Sequence, residues 1–154
     1  MPPRATHPDQ MDLLAWQAPE VVRAFPPELV RGASFEARIA RAVSVALTDC
    51  GTPRAEIADR MSGYLGQKVS LAMLNAYASA AREEHTISLP RFLALMHATG
   101  DQRLLELLAE PFGLAVVERK HLPLIEMALV SERITEMKGV YEAKRREARA
   151  KGGL

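Results

Sequence analysis

Apolar residues recur at steps of three and four along most of the chain, a spacing typical of amphipathic α-helices. Five such stripes follow one another between Ser34 and Pro111. In chain order they are Phe35, Ile39, Val43, Ala46 and Leu47; Ile57, Met61 and Leu65; Leu74 and Tyr77; Leu89, Phe92, Leu93 and Met96; and Leu104, Leu105, Leu107 and Leu108. Five helices joined by short turns predict an all-α bundle over residues 34–113.

Helix-capping residues stand where these stripes begin. Thr52 is expected to cap the second helix, with Pro53 at its first position, where a missing N–H costs nothing. Ser70 and Ser88 are placed to cap the third and fourth helices, and Asp101 the fifth. The expected caps and the apolar stripes therefore predict the same helix boundaries.

The region before the bundle, residues 1–33, contains six prolines and predicts an arm with short helical pieces. Two apolar islands, "MDLLAWQ" and "PEVVRAF", lie within it. Their large side chains are Leu13, Leu14, Trp16, Val21, Val22 and Phe25. We expect the islands to pack on the bundle, with a partner-binding peptide as the alternative.

The region after the bundle, residues 114–154, predicts a linker and a long helix. "LAVVERK", residues 114–120, is β-branched enough for one short strand. Beyond Pro123 an apolar seam alternates three- and four-residue steps, which suits packing against a partner helix. The seam consists of Met127, Val130, Ile134, Met137 and Tyr141. A homodimer is the simplest source of a partner helix, and folding back onto the bundle is the alternative.

The charge composition excludes some modes of binding. Among 154 residues, 20 basic and 19 acidic side chains leave a net charge of +1, so no overall field drives tight binding to a polyanion. The basic tail "KRREARAK", residues 144–151, is either a phosphate-binding patch or a solvated helix end. The single Cys50 excludes an internal disulfide and a cysteine-based zinc site. No stretch is apolar enough for a signal peptide or membrane span, so we expect a cytoplasmic protein without a membrane partner.

Catalytic and metal-binding patterns are not found in the sequence. It contains no nucleophile elbow, no phosphate-binding glycine loop and no metal-ligand spacing, and its four histidines are scattered. His85 follows Glu83 and Glu84, but adjacent helix residues point in different directions, which favours a helix-end charge group over a metal site. We therefore expect no catalytic residues, no metal, no cofactor and no small-molecule substrate.

The second and third predicted helices suggest nucleic-acid recognition. In a helix-turn-helix the second helix of the pair lies in the major groove, while the helix before it anchors on phosphate. "PRAEIADRMS", "VSLAMLNAYAS" and "TISLPRFLALMHATGDQRLLELLA" together resemble the lambda-repressor-like helix-turn-helix fold, and within it the phage regulatory proteins of the CII type. The resemblance covers about residues 34–113, and "LMHATGD" is its most specific part.

The resemblance implies a role for individual residues. Asn75 falls on the outward face of the reading helix, where it could bond an adenine edge with two hydrogen bonds. The implied base contacts are Gln67, Ser70, Leu71, Ala72, Asn75 and Ala76, and the implied phosphate contacts are Arg54, Lys68 and Arg82. The turn "SGYLGQK" is longer than the family's tight turn, and the outward face has few polar side chains.

The sequence therefore predicts a five-helix helix-turn-helix bundle that binds double-stranded DNA as a homodimer, most simply a phage or prophage transcription regulator. The alternative is a protein-interaction module that keeps the fold and engages a phage or host protein. Leu71, Ala72, Met73 and Ala76 favour this alternative, since an exposed apolar patch usually marks a protein contact.

Overall fold

The computed structural model describes residues 21–81 and 86–153, and within these ranges the chain forms six α-helices and no strand. The helices are α1 (Phe35–Asp49), α2 (Arg54–Leu65), α3 (Leu71–Tyr77), α4 (Leu89–Thr99), α5 (Arg103–Ala109) and α6 (Leu122–Ala150). Two short 3-10 helices, Glu110–Phe112 and Arg119–His121, lie between α5 and α6. The predicted all-α class is confirmed, and each predicted helix is present.

Helices α1 to α5 enclose one apolar core. Its largest fully buried side chains are Val43, Ile57, Met61, Leu74, Leu95 and Leu104. The most extensive helix pair is α2 with α4, where the small residues Ala58, Ala94 and Ala98 are buried at the core. Because small side chains let helix backbones approach closely, α2 and α4 form a rigid support for the shorter α3, which also contacts α1 and α2.

The outward and inward faces of α1, α4 and α5 differ in part from the prediction. Leu89 and Leu93 were expected in the core of α4, but they are 64% and 41% exposed. Phe92 and Leu95 are buried instead, together with alanines, because the sequence of α4 is apolar on more than one side. Phe35 and Leu105 are likewise exposed, so those expectations were wrong.

The expected cap of α3 forms as a side-chain hydrogen bond, because the Ser70 hydroxyl accepts from the Met73 N–H at 3.1 Å. The N-cap residue of α5 is Gln102 and not the expected Asp101, although an Asp101 carboxylate oxygen accepts from the Arg103 N–H at 3.0 Å. Ser88 occupies the cap position of α4 without a side-chain cap bond. The expectation for α2 was wrong, because Pro53 itself is the N-cap residue and Thr52 lies before it.

The described end of the arm packs on the bundle as expected for Phe25. Phe25 and Val30 are buried in the common core, whereas Val21 is 39% exposed. The Arg103 guanidinium lies 4.3 Å from the centre of the Phe25 ring and forms ion pairs of 2.7 Å with both Asp49 and Asp101. The hydrogen bond that Arg103 donates to the Asp101 carboxylate is the main cause of the raised Arg103 pKa. Leu13, Leu14 and Trp16 lie outside the described residues.

The strand predicted over residues 114–120 is not formed. Residues 114–118 are irregular, and the chain then turns through Arg119–His121 into α6. A strand needs a neighbour for its backbone hydrogen bonds, and no other strand exists in the described ranges. The buried Glu106 supplies one partner instead, because its carboxylate accepts from the Val116 N–H at 2.6 Å.

The long C-terminal helix α6 is 29 residues long and projects from the bundle, with none of its residues buried. The alternative in which it folds back onto its own bundle is therefore wrong for this structure. Among the described residues, no helix combines the length and apolar character that a membrane span requires.

Candidate nucleic-acid interface

Helix α3 presents a small, firmly supported outward face. Leu74 is fully buried and Tyr77 is 6% exposed, so one side of α3 is fixed in the core. Arg91 of α4 donates a short hydrogen bond to the Tyr77 hydroxyl and lies over its ring, which ties the end of α3 to α4. Leu71, Ala72 and Asn75 are exposed on the opposite side.

Ala76 is not part of the outward face. It is 6% exposed, which contradicts its expected place among the base contacts. Each residue of an α-helix is rotated by about 100° from the one before it, so Ala76 turns away from Asn75 toward the core. The Ser70 hydroxyl is also occupied, because it accepts the cap bond from the Met73 N–H.

The turn between α2 and α3 is anchored at both ends. Gly66 ends α2 with a φ of 65°, in the left-handed region that favours glycine. Val69 is buried, and its N–H donates to the Ser62 hydroxyl at 2.8 Å, which in turn donates to the Ala58 carbonyl at 2.7 Å. Between these fixed ends, Gln67 and Lys68 are exposed.

A hydrogen bond joins α2 to α3. The Arg54 guanidinium donates to the Asn75 side-chain oxygen at 2.9 Å, although the two residues are 21 positions apart. The bond is exposed, so Arg54 and Asn75 lie side by side at the surface. Two residues that the resemblance assigned separately, one to phosphate and one to a base edge, are thus adjacent.

The charged residues of α2 and the following turn nearly balance in number, but they are distributed unevenly. Arg60 pairs with Glu56 at 2.6 Å and also donates to the Ala98 carbonyl of α4 at 3.3 Å, so this pair turns toward α4. In the described ranges, Arg54 and Lys68 have no carboxylate within ion-pair distance. Asp59, the other acidic residue of α2, is exposed. Arg54 at the start of α2 and Lys68 in the turn are therefore two cations without a carboxylate partner, although Arg54 is hydrogen-bonded to Asn75.

One expected phosphate contact lies outside the described residues. Arg82 falls in the range 82–85, outside the description, as do Glu83, Glu84 and His85. No group of three or more histidine, cysteine, aspartate or glutamate residues in the described ranges could hold a metal ion. The sequence did not predict the supports provided by Ser62, Glu106 and Arg91, because each joins a helix to a residue outside that helix.

The seam of α6 is exposed along its whole length. Met127, Val130, Ile134, Met137 and Tyr141 are between 47% and 66% exposed. The basic tail makes local ion pairs: Lys144 and Lys151 both contact Glu147, at 3.0 and 2.7 Å, and Arg145 contacts Glu142 at 3.7 Å. Much of the tail charge is thus engaged within α6, as in a solvated helix end.

No family model, curated protein or solved structure matches the chain. Its class is therefore defined by the fold alone: an all-α bundle with a protruding C-terminal helix.

Proposed function

We propose that the chain binds double-stranded DNA sequence-specifically through α2, the following turn and α3, as a phage or prophage transcription regulator. The observation that carries the proposal is the exposed pairing of Arg54 with Asn75 on a face that the core holds rigid. A recognition site needs a phosphate anchor beside a base-reading group, so that the first contact positions the second. Arg54 and Asn75 have the chemistry for these two roles.

Asn75 is the proposed base-reading residue. An asparagine amide can bond an adenine edge with two hydrogen bonds, one given and one received. In the free chain its oxygen is engaged by Arg54, so docking on DNA transfers Arg54 to a phosphate and frees the oxygen of Asn75. Leu71 and Ala72, which are exposed beside it, offer apolar contact to a thymine methyl group.

Lys68 and Gln67 extend this site from the turn. Lys68 is exposed and has no carboxylate partner in the described ranges, which suits contact with a phosphate. Gln67 is exposed next to it and could reach a base edge. With a net charge of +1, affinity depends on these local contacts and on the binding of two copies rather than on an overall field.

The test is selection from a random duplex DNA pool at near-physiological salt, followed by sequencing of the retained DNA. We expect one enriched motif. Asn75→Ala should then cost about 1 to 3 kcal/mol on the motif, with little change on unrelated DNA. Lys68→Ala should weaken all sequences alike and lower the salt slope by about one.

Arg41→Ala is the matched control for Lys68→Ala, since it removes an exposed cation from α1, on a helix outside the proposed site. Its binding should stay close to that of the parent chain. Retention without enrichment, or an equal loss on every sequence from Asn75→Ala, would contradict base reading by α3.

A protein-interaction module is the second candidate, and the exposure of Leu71 favours it. Leu71 is 44% exposed at the start of α3 with Ala72 beside it, and such apolar patches mark protein contacts. The Arg54 bond also leaves the Asn75 oxygen already satisfied. If no DNA is retained from the pool, this candidate replaces the first.

A further inference from the structure

Helix α6 has an apolar face that nothing in its own chain covers. Its large apolar side chains are all more than 40% exposed: Leu122, Leu124, Ile125, Met127, Leu129, Val130, Ile134, Met137, Val140 and Tyr141. Most helical stability in proteins comes from packing of an apolar face, and contiguous exposed patches of this kind mark association sites. The exposed apolar side chains therefore make α6 a candidate association surface.

The spacing on this face is that of a helix-pairing seam. Met127, Val130, Ile134, Met137 and Tyr141 alternate steps of three and four, as the core positions of a coiled coil do. A groove on the same helix is lined by Arg133, Glu136, Met137, Val140 and Tyr141. Two of these residues, Met137 and Tyr141, belong to the seam, so the groove lies beside it. The seam spacing makes another helix the expected occupant.

The charges of α6 are distributed unequally between its two halves. Residues 122–136 contain three glutamates and one arginine, a net charge of −2. Residues 137–151 contain six basic and two acidic residues, a net charge of +4. A second copy of α6 is therefore complementary to the first only if its direction is reversed.

We propose that α6 pairs with α6 of a second copy of the chain in antiparallel orientation. The acidic half of each helix then lies beside the basic half of the other, so the favourable contact occurs twice in the dimer. A parallel pair in register would instead place like halves together. In heptad terms, with Met127 and Ile134 at position a, it would set Arg133 of one copy beside Lys138 of the other, which repel. The antiparallel pair places the two bundles at opposite ends of the paired helices, which are about 43 Å long.

This inference is independent of DNA binding and is tested first by mass. Light scattering across a concentration series should give a dimer for the parent chain. Ile134→Glu places a carboxylate in the seam and should raise the dimer dissociation constant by at least about a hundredfold, the equivalent of a few kcal/mol. Thr135→Glu, one residue further on and off the seam, should leave the dimer intact. Circular dichroism verifies that both variants keep the bundle.

Orientation is tested by crosslinking. Cys50 is the chain's single cysteine, so Cys50→Ser gives a background for Met127→Cys, at the start of the seam, and for Ala148→Cys, seven residues beyond its last residue Tyr141. In an antiparallel pair each position lies more than about 20 Å from its own copy, at 1.5 Å of rise per residue. A short bismaleimide should therefore crosslink only a mixture of the two variants, as the heterodimer. Homodimer crosslinks in each variant alone would establish a parallel pair and overturn the proposal.

Salt dependence gives an independent readout. Opposite charges that face each other lose attraction as salt screens them, so the antiparallel dimer should weaken between low and moderate salt, whereas a parallel pair should strengthen. Glu126→Lys combined with Glu132→Lys should weaken the dimer about tenfold at low salt and less at high salt. A parent chain that stays monomeric at all concentrations would overturn the proposal.

Discussion

The bundle and α6 use the same helical pattern but satisfy it differently. In the bundle, the apolar stripes of α1 to α5 meet one another, and Met61 of α2 is fully buried. In α6, an apolar stripe of similar spacing meets nothing, and Met137 is 61% exposed. Periodicity therefore specifies a helix and its apolar side, whereas the partner of that side depends on how the chain folds.

The segment between the two regions explains why they remain separate. Residues 114–118 are irregular and carry no helix or strand that would fold α6 back. One strong contact fixes this segment to the bundle, the bond from the Val116 N–H to the buried Glu106 carboxylate. The bundle thus ends at a fixed point from which α6 projects.

The largest expected effect is the difference in bundle stability between substitutions of Met61 and Met137. Met61→Ala removes a fully buried side chain and should destabilise the bundle by about 2 to 5 kcal/mol. Met137→Ala makes the same chemical change on an exposed side chain and should alter bundle stability by less than about 0.5 kcal/mol. Urea denaturation of dilute protein measures both.

Met137→Ala should nevertheless weaken self-association, because it removes an apolar group from the α6 seam. A loss of bundle stability from Met137→Ala that equals the loss from Met61→Ala would mean that α6 is part of the bundle. The distinction between a packed bundle and an unpacked α6 would then be wrong.

A smaller effect is expected at the junction. Glu106→Ala removes the acceptor for the Val116 N–H and should cost about 1.5 to 3 kcal/mol, the usual range for hydrogen bonds to charged groups. Hydrogen exchange should show faster exchange of the Val116 amide, with little change in the middle of α6. Glu106→Gln keeps an oxygen acceptor and should restore most of the protection. Equal protection in all three proteins would show that this bond does not fix the junction.

The fold could be predicted from the sequence wherever the apolar pattern was one-sided. Ile57 and Met61 were placed correctly because polar residues define the other face of α2, and Leu74 and Tyr77 because they are the large side chains one helical turn apart on α3. The pattern failed for α4, where leucines stand on both faces and buried alanines carry little signal. It also failed at residues 114–118, since β-branched residues favour a strand only where another strand can pair with them.

The candidate site could be predicted less completely. The exposure of Asn75 and the capping role of Ser70 followed from helix geometry. The contact between Arg54 and Asn75 could not be foreseen, because it depends on how α2 and α3 cross. Ala76 was misplaced because it is rotated by about 100° from Asn75, toward the core side of α3. Base and phosphate contacts remain predictions.

The smallest expected effect lies at the end of α6, farthest from the bundle. The Glu147 carboxylate accepts hydrogen bonds from Lys151 and Lys144, and these lower its pKa, the Lys151 bond contributing most. A lowered pKa in the folded helix means that these bonds stabilise the last turns above the ordinary glutamate pKa. Their contribution is lost as the pH falls through the lowered value.

We therefore expect the helical content of residues 144–151 to decrease on acidification, with the Glu147 side chain titrating below the ordinary glutamate range. Nuclear magnetic resonance of the Ile134→Glu variant measures both without interference from association. Lys151→Gln should move the Glu147 pKa back toward its ordinary value, because it removes the main donor. An unchanged Glu147 titration in Lys151→Gln would show that this ion pair is not populated in solution. The charges of the tail would then be free for contacts between copies or with DNA.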